Sequence, residues 1–193
     1  MKRLYVLLSL VILCAFFLGY VSDTHAQRGI PKSLKATTTQ RLGMETDLTF
    51  NYSRPGVKGR QIWGDLVPYG LAPGNDYSDN KPFPWRAGAN ENTTFEFNSD
   101  LLIEGNKLPA GKYGIHMIPS ENEWTIIFSK NNSSWGSYKY TEDEDALRIK
   151  VTPVEAGHQE WLYFGFEDLA GKSATAFLHW EILKVPFKVE LAE

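Results

Sequence analysis

Cysteine is almost absent from this chain of 193 residues. The one cysteine, Cys14, lies in an apolar run over residues 4–21 that follows two basic residues and precedes the segment "SDTHAQ". This order is typical of a secretory signal peptide, and we predict cleavage after Ala26. Removal of residues 1–26 leaves a mature chain without cysteine, which excludes disulfide bonds, thiolate catalysis and cysteine metal ligands.

The same apolar run is long for a signal-peptide core, so an uncleaved membrane anchor is the alternative. No other run reaches spanning length, and we expect no stable membrane span after cleavage. The sequence therefore predicts a signal peptide over 1–26, a flexible segment over 27–33 and a single domain over 34–193. A Sec-type signal implies a periplasmic or extracellular protein.

Blocks of basic residues and known catalytic motifs are also missing. The formal net charge is −3 with no basic stretch, which argues against a nucleic-acid partner. The chain has no G-x-S-x-G or H-E-x-x-H motif and no phosphate-binding loop, so we assign no catalytic residue and predict no cofactor. An enzyme is the less favoured class.

Helical periodicity is nearly absent, whereas strand-like alternation is frequent. Apolar residues alternate in "DLTFNYS", "NTTFEFN", "EWTIIFSK", "ALRIKVTP" and "VPFKVEL". "LAGK" reads as a hairpin turn, and Gly105-Asn106 as another. We predict an all-β antiparallel sandwich or barrel-like domain of roughly eight to ten strands. Residues 69–84, "YGLAPGNDYSDNKPFP", are expected to form a long Pro/Gly surface loop of functional interest.

Four segments resemble a known bacterial family. "YSRPGVKGRQIWGDLVPYG", "WRAGANENTTFEF", "LPAGKYGIHMIP" and "EWTIIFSK" are similar to the family called domain of unknown function 2911, over about Leu34 to Leu191. The resemblance implies a secreted or envelope protein and implies no activity. The family pattern is shorter, and this chain departs from it by the residues between "VPYG" and "PWR".

Arginines and glycines concentrate in the first two of these segments. Arg54, Arg60 and Arg86 would converge if the segments meet, and planar guanidinium groups suit bidentate binding of carboxylate or phosphate. We expect Asn90 and Glu91 to orient the arginines. The aromatic candidates for stacking on a ligand or a guanidinium are Trp85 and Tyr69.

The alternative for this cluster is an internal ion-pair network, in which Glu91 and Asp65 pair with the arginines and pin the loops. We expect a mixed outcome, with Arg86 structural and at least one of Arg54 and Arg60 facing a ligand.

Three histidines remain in the predicted mature chain. His116, together with His179 and Glu181 on another strand, would supply two imidazoles and a carboxylate for a metal. Two ligands two residues apart are a weak signal, so ordinary hydrogen-bonded histidines are the favoured interpretation and no metal site is predicted.

The sequence thus leaves three hypotheses. The first is a non-enzymatic binding module that holds a small acidic or polyhydroxyl, carbohydrate-like ligand, or an acidic partner segment, at the arginine-rich loops. The second is a hydrolase or lyase of envelope or extracellular polymers, with acid–base work by His116, Glu91 or another carboxylate. The third is a purely structural interaction protein.

Overall fold

The structure is a computed structural model that describes residues 31–192. The predicted signal peptide and most of the predicted flexible segment lie outside these residues. Every feature discussed below belongs to one compact unit that begins at Lys32.

The described residues form ten strands and two short 3-10 turns. The 3-10 turns span Asp76–Ser78 and Glu142–Glu144. The strands are β1 (Leu34–Leu42), β2 (Thr46–Arg54), β3 (Thr93–Phe97), β4 (Leu101–Ile103), β5 (Asn106–Leu108), β6 (Gly111–Ile118), β7 (Trp124–Ser129), β8 (Asp145–Val151), β9 (Val154–Glu167) and β10 (Ser173–Leu191).

The strands pair into two antiparallel sheets. The larger sheet has the order β1-β2-β3-β6-β7-β8, and the smaller has the order β5-β4-β10-β9. The all-β prediction is confirmed in its sandwich form. Among residues 31–192, no helix has the length and apolar character to span a bilayer.

An aromatic core fills the space between the sheets. Phe50 of β2 is fully buried, and its ring centroid lies 4.2 Å from that of Phe95 in the same sheet and 4.6 Å from that of Phe164 in the other. The predicted inward faces of β2, β3 and β7 are confirmed, because alternate residues of a strand share a face. Phe97, Trp124 and the other members of these faces are buried.

Three expectations from local pattern need correction. β1 was not anticipated, because "LKATTTQRL" is an edge strand with few apolar residues. "SATAFLHWEIL" and "VPFKVEL" form the single strand β10, whose register shifts near Glu181 let its buried face change from even to odd positions. Trp161 lies in the regular strand β9, where a tryptophan is expected to face the core, but it is 38% exposed.

The two arginine-bearing segments lie side by side at one end of the sandwich. β2 and β3 are antiparallel neighbours, so the end of β2 at Arg54 and the start of β3 at Thr93 lie at the same edge. A Cβ added at Gly88 would lie 3.1 Å from the carbonyl oxygen of Ser53. The long loop 69–84 joins them, and Ala72 and Phe83 pair across it.

Candidate functional site

A cavity of about 690 Å³ opens between these segments. This size lies in the usual range for small-molecule sites. Its walls are Pro55, Leu66, Pro68, Phe83, Trp85 and other largely apolar residues of the 55–60, 66–72 and 83–89 segments, with Trp180 of β10. Four cations also line it: Lys32, Lys58, Arg60 and Arg86. We call it the cation cavity.

No carboxylate lines the cation cavity among the described residues. The Oε1 atom of Glu160 accepts the backbone N–H of Lys58 at 2.9 Å, and its Oε2 atom lies 3.5 Å from His158, but Glu160 is not part of the wall. Within residues 31–192, no ion pair joins Arg54, Arg60 or Arg86 to an acidic side chain. The cavity therefore carries positive charge that the wall itself does not neutralise.

Arg86 is held in place by packing and one hydrogen bond. Its Nη1 atom donates to the carbonyl oxygen of Asn90 at 2.7 Å, and its Cζ atom lies 4.8 Å from the ring centroid of Tyr138. Gly136 gives it room, because a Cβ there would overlap the guanidinium group. A guanidinium stacked on an aromatic ring keeps its remaining N–H groups for other acceptors.

The segment "WRAGANE" forms an excursion from the large sheet. The backbone of Trp85 pairs with Met117 through two hydrogen bonds of 2.8 Å, and the regular ladder resumes at Thr93. Between them the chain turns out and back, with Ala87 and Asn90 at φ of 51° and 61°. The Thr93 hydroxyl donates to the Ala87 carbonyl at 2.9 Å and closes this loop.

The other two arginines donate to main-chain carbonyls. Arg54 reaches β9, where its Nε atom donates to the carbonyl of Leu162 at 2.8 Å, and it does not line the cavity. Arg60 is exposed and lines the cavity, and its side chain donates to the carbonyls of Val57 and Gly56. Arg54 thus ties the two sheets together, and Arg60 and Arg86 face the cavity.

Tryptophan rings build the floor. Trp85 and Trp180 stack with centroids 6.1 Å apart, and Trp63 packs edge-on against both. Trp180 is 1% exposed, and its indole N–H has no hydrogen-bond acceptor among the described residues. The floor is therefore flat, apolar and rigid, with a polar group that has no partner of its own.

Three candidate residues play other roles than the sequence predicted. Glu91 pairs with Lys35 at 2.8 Å on the exposed surface, outside the cavity, and this contact lowers the pKa of the Glu91 carboxyl. The expectation that Glu91 orients or pairs with the arginines is wrong, because Lys35 is its ionic partner. Asn90 acts through its backbone carbonyl, and its side chain donates to the carbonyl of Ser33. Tyr69 lies against Gly64, outside the cavity wall.

His116 and His179 do not lie together in one site. His116 lies in the large sheet and His179 in the small one. The Nδ1 atom of His116 lies 2.7 Å from the Ser137 hydroxyl, and the Nε2 atom of His179 lies 2.9 Å from the Gly157 carbonyl. Within residues 31–192, no three His, Cys, Asp or Glu residues cluster as a metal site.

Sequence reasoning missed Lys32, Lys58 and Trp180. Lys58 stands between the two glycines of "RPGVKGR", so its loop position was visible, although its φ of 49° was not. Lys32 precedes β1 by two residues, and only the folded chain shows that it reaches the cavity. Trp180 lies far along the chain from the loops, and no local pattern connects it with them.

Apart from Lys32, the residues of the cation cavity and both strands that deliver its loops lie within one family match. The family model described as Protein of unknown function (DUF2911) matches residues 33–189. No curated protein and no solved structure matches the chain. Because the match covers most of its length, the chain belongs to the DUF2911 family of proteins of unknown function.

Proposed function

We propose that this protein is a non-enzymatic binding module that holds a small acidic ligand in the cation cavity. The observation that carries the proposal is a cavity wall with four cations and no carboxylate. Lys32, Lys58 and Arg60 are exposed and Arg86 is half-buried, so their like charges repel one another across the cavity until an anion compensates them. A carboxylate or phosphate group would supply that compensation and would accept hydrogen bonds from the guanidinium groups.

Two further observations support a binding role over the other hypotheses. A structural network would pair the arginines with Glu91 or Asp65, whereas they donate to main-chain carbonyls. The hydrolase or lyase hypothesis assigned acid–base work to His116, Glu91 or another carboxylate, and none of these lines the cavity. The wall is equipped to hold an anion and to orient it.

We also propose that binding takes place outside the cytoplasm. The basic, apolar and small-residue order of residues 1–26 supports this proposal. The intact mass of the exported protein is expected to correspond to a chain that begins at Gln27. A membrane-bound product that keeps residues 1–26 would contradict it and would support the anchor.

The binding proposal is tested by titrating the purified protein with phosphate, citrate and glucuronate, followed by tryptophan fluorescence and calorimetry. At least one anion is expected to bind with Kd below about 1 mM. Lys58→Ala and Arg60→Ala are each expected to weaken binding about tenfold, a typical loss for one charge-assisted contact. Added salt is expected to weaken it as well, because the site is open to solvent.

Matched controls separate cavity charge from total charge. Lys150→Ala and Arg41→Ala remove the same charges from exposed residues that lie outside the cavity and pair with Glu123 and Asp47. These variants are expected to bind like the wild type. Equal losses in the control and cavity variants, or no binding of any of the three anions, would rule out the proposal.

A further inference from the structure

A line of aromatic rings leads from the cation cavity to the protein surface. Phe83 lines the cavity, and its ring centroid lies 5.0 Å from that of Tyr138. Tyr138 lies under the Arg86 guanidinium and 5.5 Å from the ring of Tyr77. We call Phe83, Tyr138 and Tyr77 the aromatic ridge. It begins at the cavity wall and ends at a ring that is 72% exposed.

The exposed end of the ridge is rigidly held. Tyr77 lies in the 3-10 turn Asp76–Ser78, where the Asn75 side chain accepts the backbone N–H groups of Tyr77 and Ser78 and the Ser78 hydroxyl bonds back to Asn75. The turn ends at Asp79, whose carboxylate forms a 2.8 Å ion pair with Lys139, the neighbour of Tyr138. Tyr77 thus packs on Tyr138 and still leaves most of its ring exposed on a fixed turn, where it is available to a ligand.

The surroundings of the ridge indicate what it contacts. An acyl chain would need a continuous apolar surface, whereas the Lys139–Asp79 pair and Asn75 flank the rings with polar groups. A sugar ring has an apolar C–H face that packs on an aromatic ring and a rim of hydroxyls that suits such polar neighbours. The charge of the adjacent cavity requires an acidic unit in the same molecule.

We propose that the ligand is an acidic oligosaccharide, whose charged unit enters the cation cavity while a neighbouring sugar packs on the aromatic ridge at Tyr77. This inference rests on the proposed function and adds a second subsite to it. The aromatic ridge meets the cavity wall at Phe83 and Arg86, so a single oligosaccharide can contact both subsites.

The test compares the monomers and trimers of galacturonate, glucuronate and mannuronate by calorimetry, with maltotriose as the neutral trimer. At least one acidic trimer is expected to bind about tenfold more tightly than its own monomer, the gain expected from one stacked ring. Tyr77→Ala is expected to remove that gain and to leave the affinity for the monomer unchanged. Tyr77→Phe keeps the ring and is expected to keep the gain.

Tyr77 suits this test because it is exposed and does not line the cavity. Thermal melts of both Tyr77 variants should match the wild type, and Met44→Ala, at another highly exposed apolar residue, should bind as the wild type does. Monomer binding without any gain for a trimer would overturn the second subsite alone. Absence of all binding by the uronates would overturn this inference, and it would overturn the proposed function as well if phosphate and citrate also fail to bind.

Two other outcomes also contradict the inference. Maltotriose binding as tightly as the acidic trimers would show that charge is not recognised. An acidic peptide, such as hexa-aspartate, that binds as tightly and with the same dependence on Tyr77 would assign the surface to a protein partner.

Discussion

Phe50→Ala is expected to lower the free energy of unfolding by about 4 kcal/mol, in the range for removing a buried aromatic side chain. Phe50 is fully buried and lies against Phe95 of its own sheet and Phe164 of the opposite sheet. Phe187 of β10 packs edge-on against it at 6.4 Å. The cavity left by the substitution is lined from both sheets, which limits how far the structure can collapse around it.

Urea unfolding followed by tryptophan fluorescence measures this loss. Phe50→Leu keeps most of the volume and is expected to cost about 1–2 kcal/mol. A loss below about 1 kcal/mol for Phe50→Ala would mean that the rings repack across the sandwich, contrary to the dense core seen here.

Acidification is expected to destabilise the protein through His116. Burial, together with the nearby charge of Arg86, lowers the pKa of His116 from its ordinary 6.5 to about 4. The ring is 2% exposed and packs against Tyr140, whose hydroxyl donates to Asp145 at 2.8 Å. Ser137 provides its hydrogen-bond partner.

The direction of this change in stability follows from proton binding to the folded and unfolded chains. Between pH 6.5 and about 4 the unfolded chain protonates this histidine and the folded chain does not. The stabilisation is therefore complete above pH 6.5 and is lost as the pH falls to about 4. The difference in pKa corresponds to about 3 kcal/mol.

The effect is measured by urea unfolding of the wild type and of His116→Gln across this pH window. The variant is expected to lose the pH dependence of stability in the window, whatever its stability at neutral pH. His158→Gln, at an exposed histidine, is expected to keep the wild-type profile. Paired carboxyls such as Asp47 and Asp79 have pKa values below 3.8, so they act mainly at lower pH. An unchanged slope in His116→Gln would contradict the assignment.

The sequence alone predicted an all-β sandwich or barrel-like domain and the inward faces of β2, β3 and β7, and the structure shows the sandwich. Alternation with a period of two is a local property, because neighbouring side chains of a strand point to opposite faces. Prediction from this alternation failed at β1, which is a polar edge strand. It also failed at β10, where a bulge shifts the buried face from the side of Trp180 to that of Val185. Both failures occur where contacts from the rest of the sheet override the local pattern.

The location of the site followed partly from the sequence as well. Charged groups between glycines, at the ends of two antiparallel strands, indicated loops that would meet, and the cavity lies between those loops. What these arginines bind was decided by the tertiary structure. Arg54, Arg60 and Arg86 donate to main-chain carbonyls, and since every residue carries a carbonyl, no side-chain pattern shows which one will accept.

The composition of the cavity wall was likewise decided by the folded chain. Lys32 comes from the segment before β1 and Trp180 from the middle of β10, and they line one cavity only because the two sheets pack against each other. Glu91 lies close to Arg86 in sequence, yet it pairs with Lys35 across the surface. Sequence distance does not determine which charges meet, because the sheet register places residues from distant strands nearer to one another than residues of the same loop.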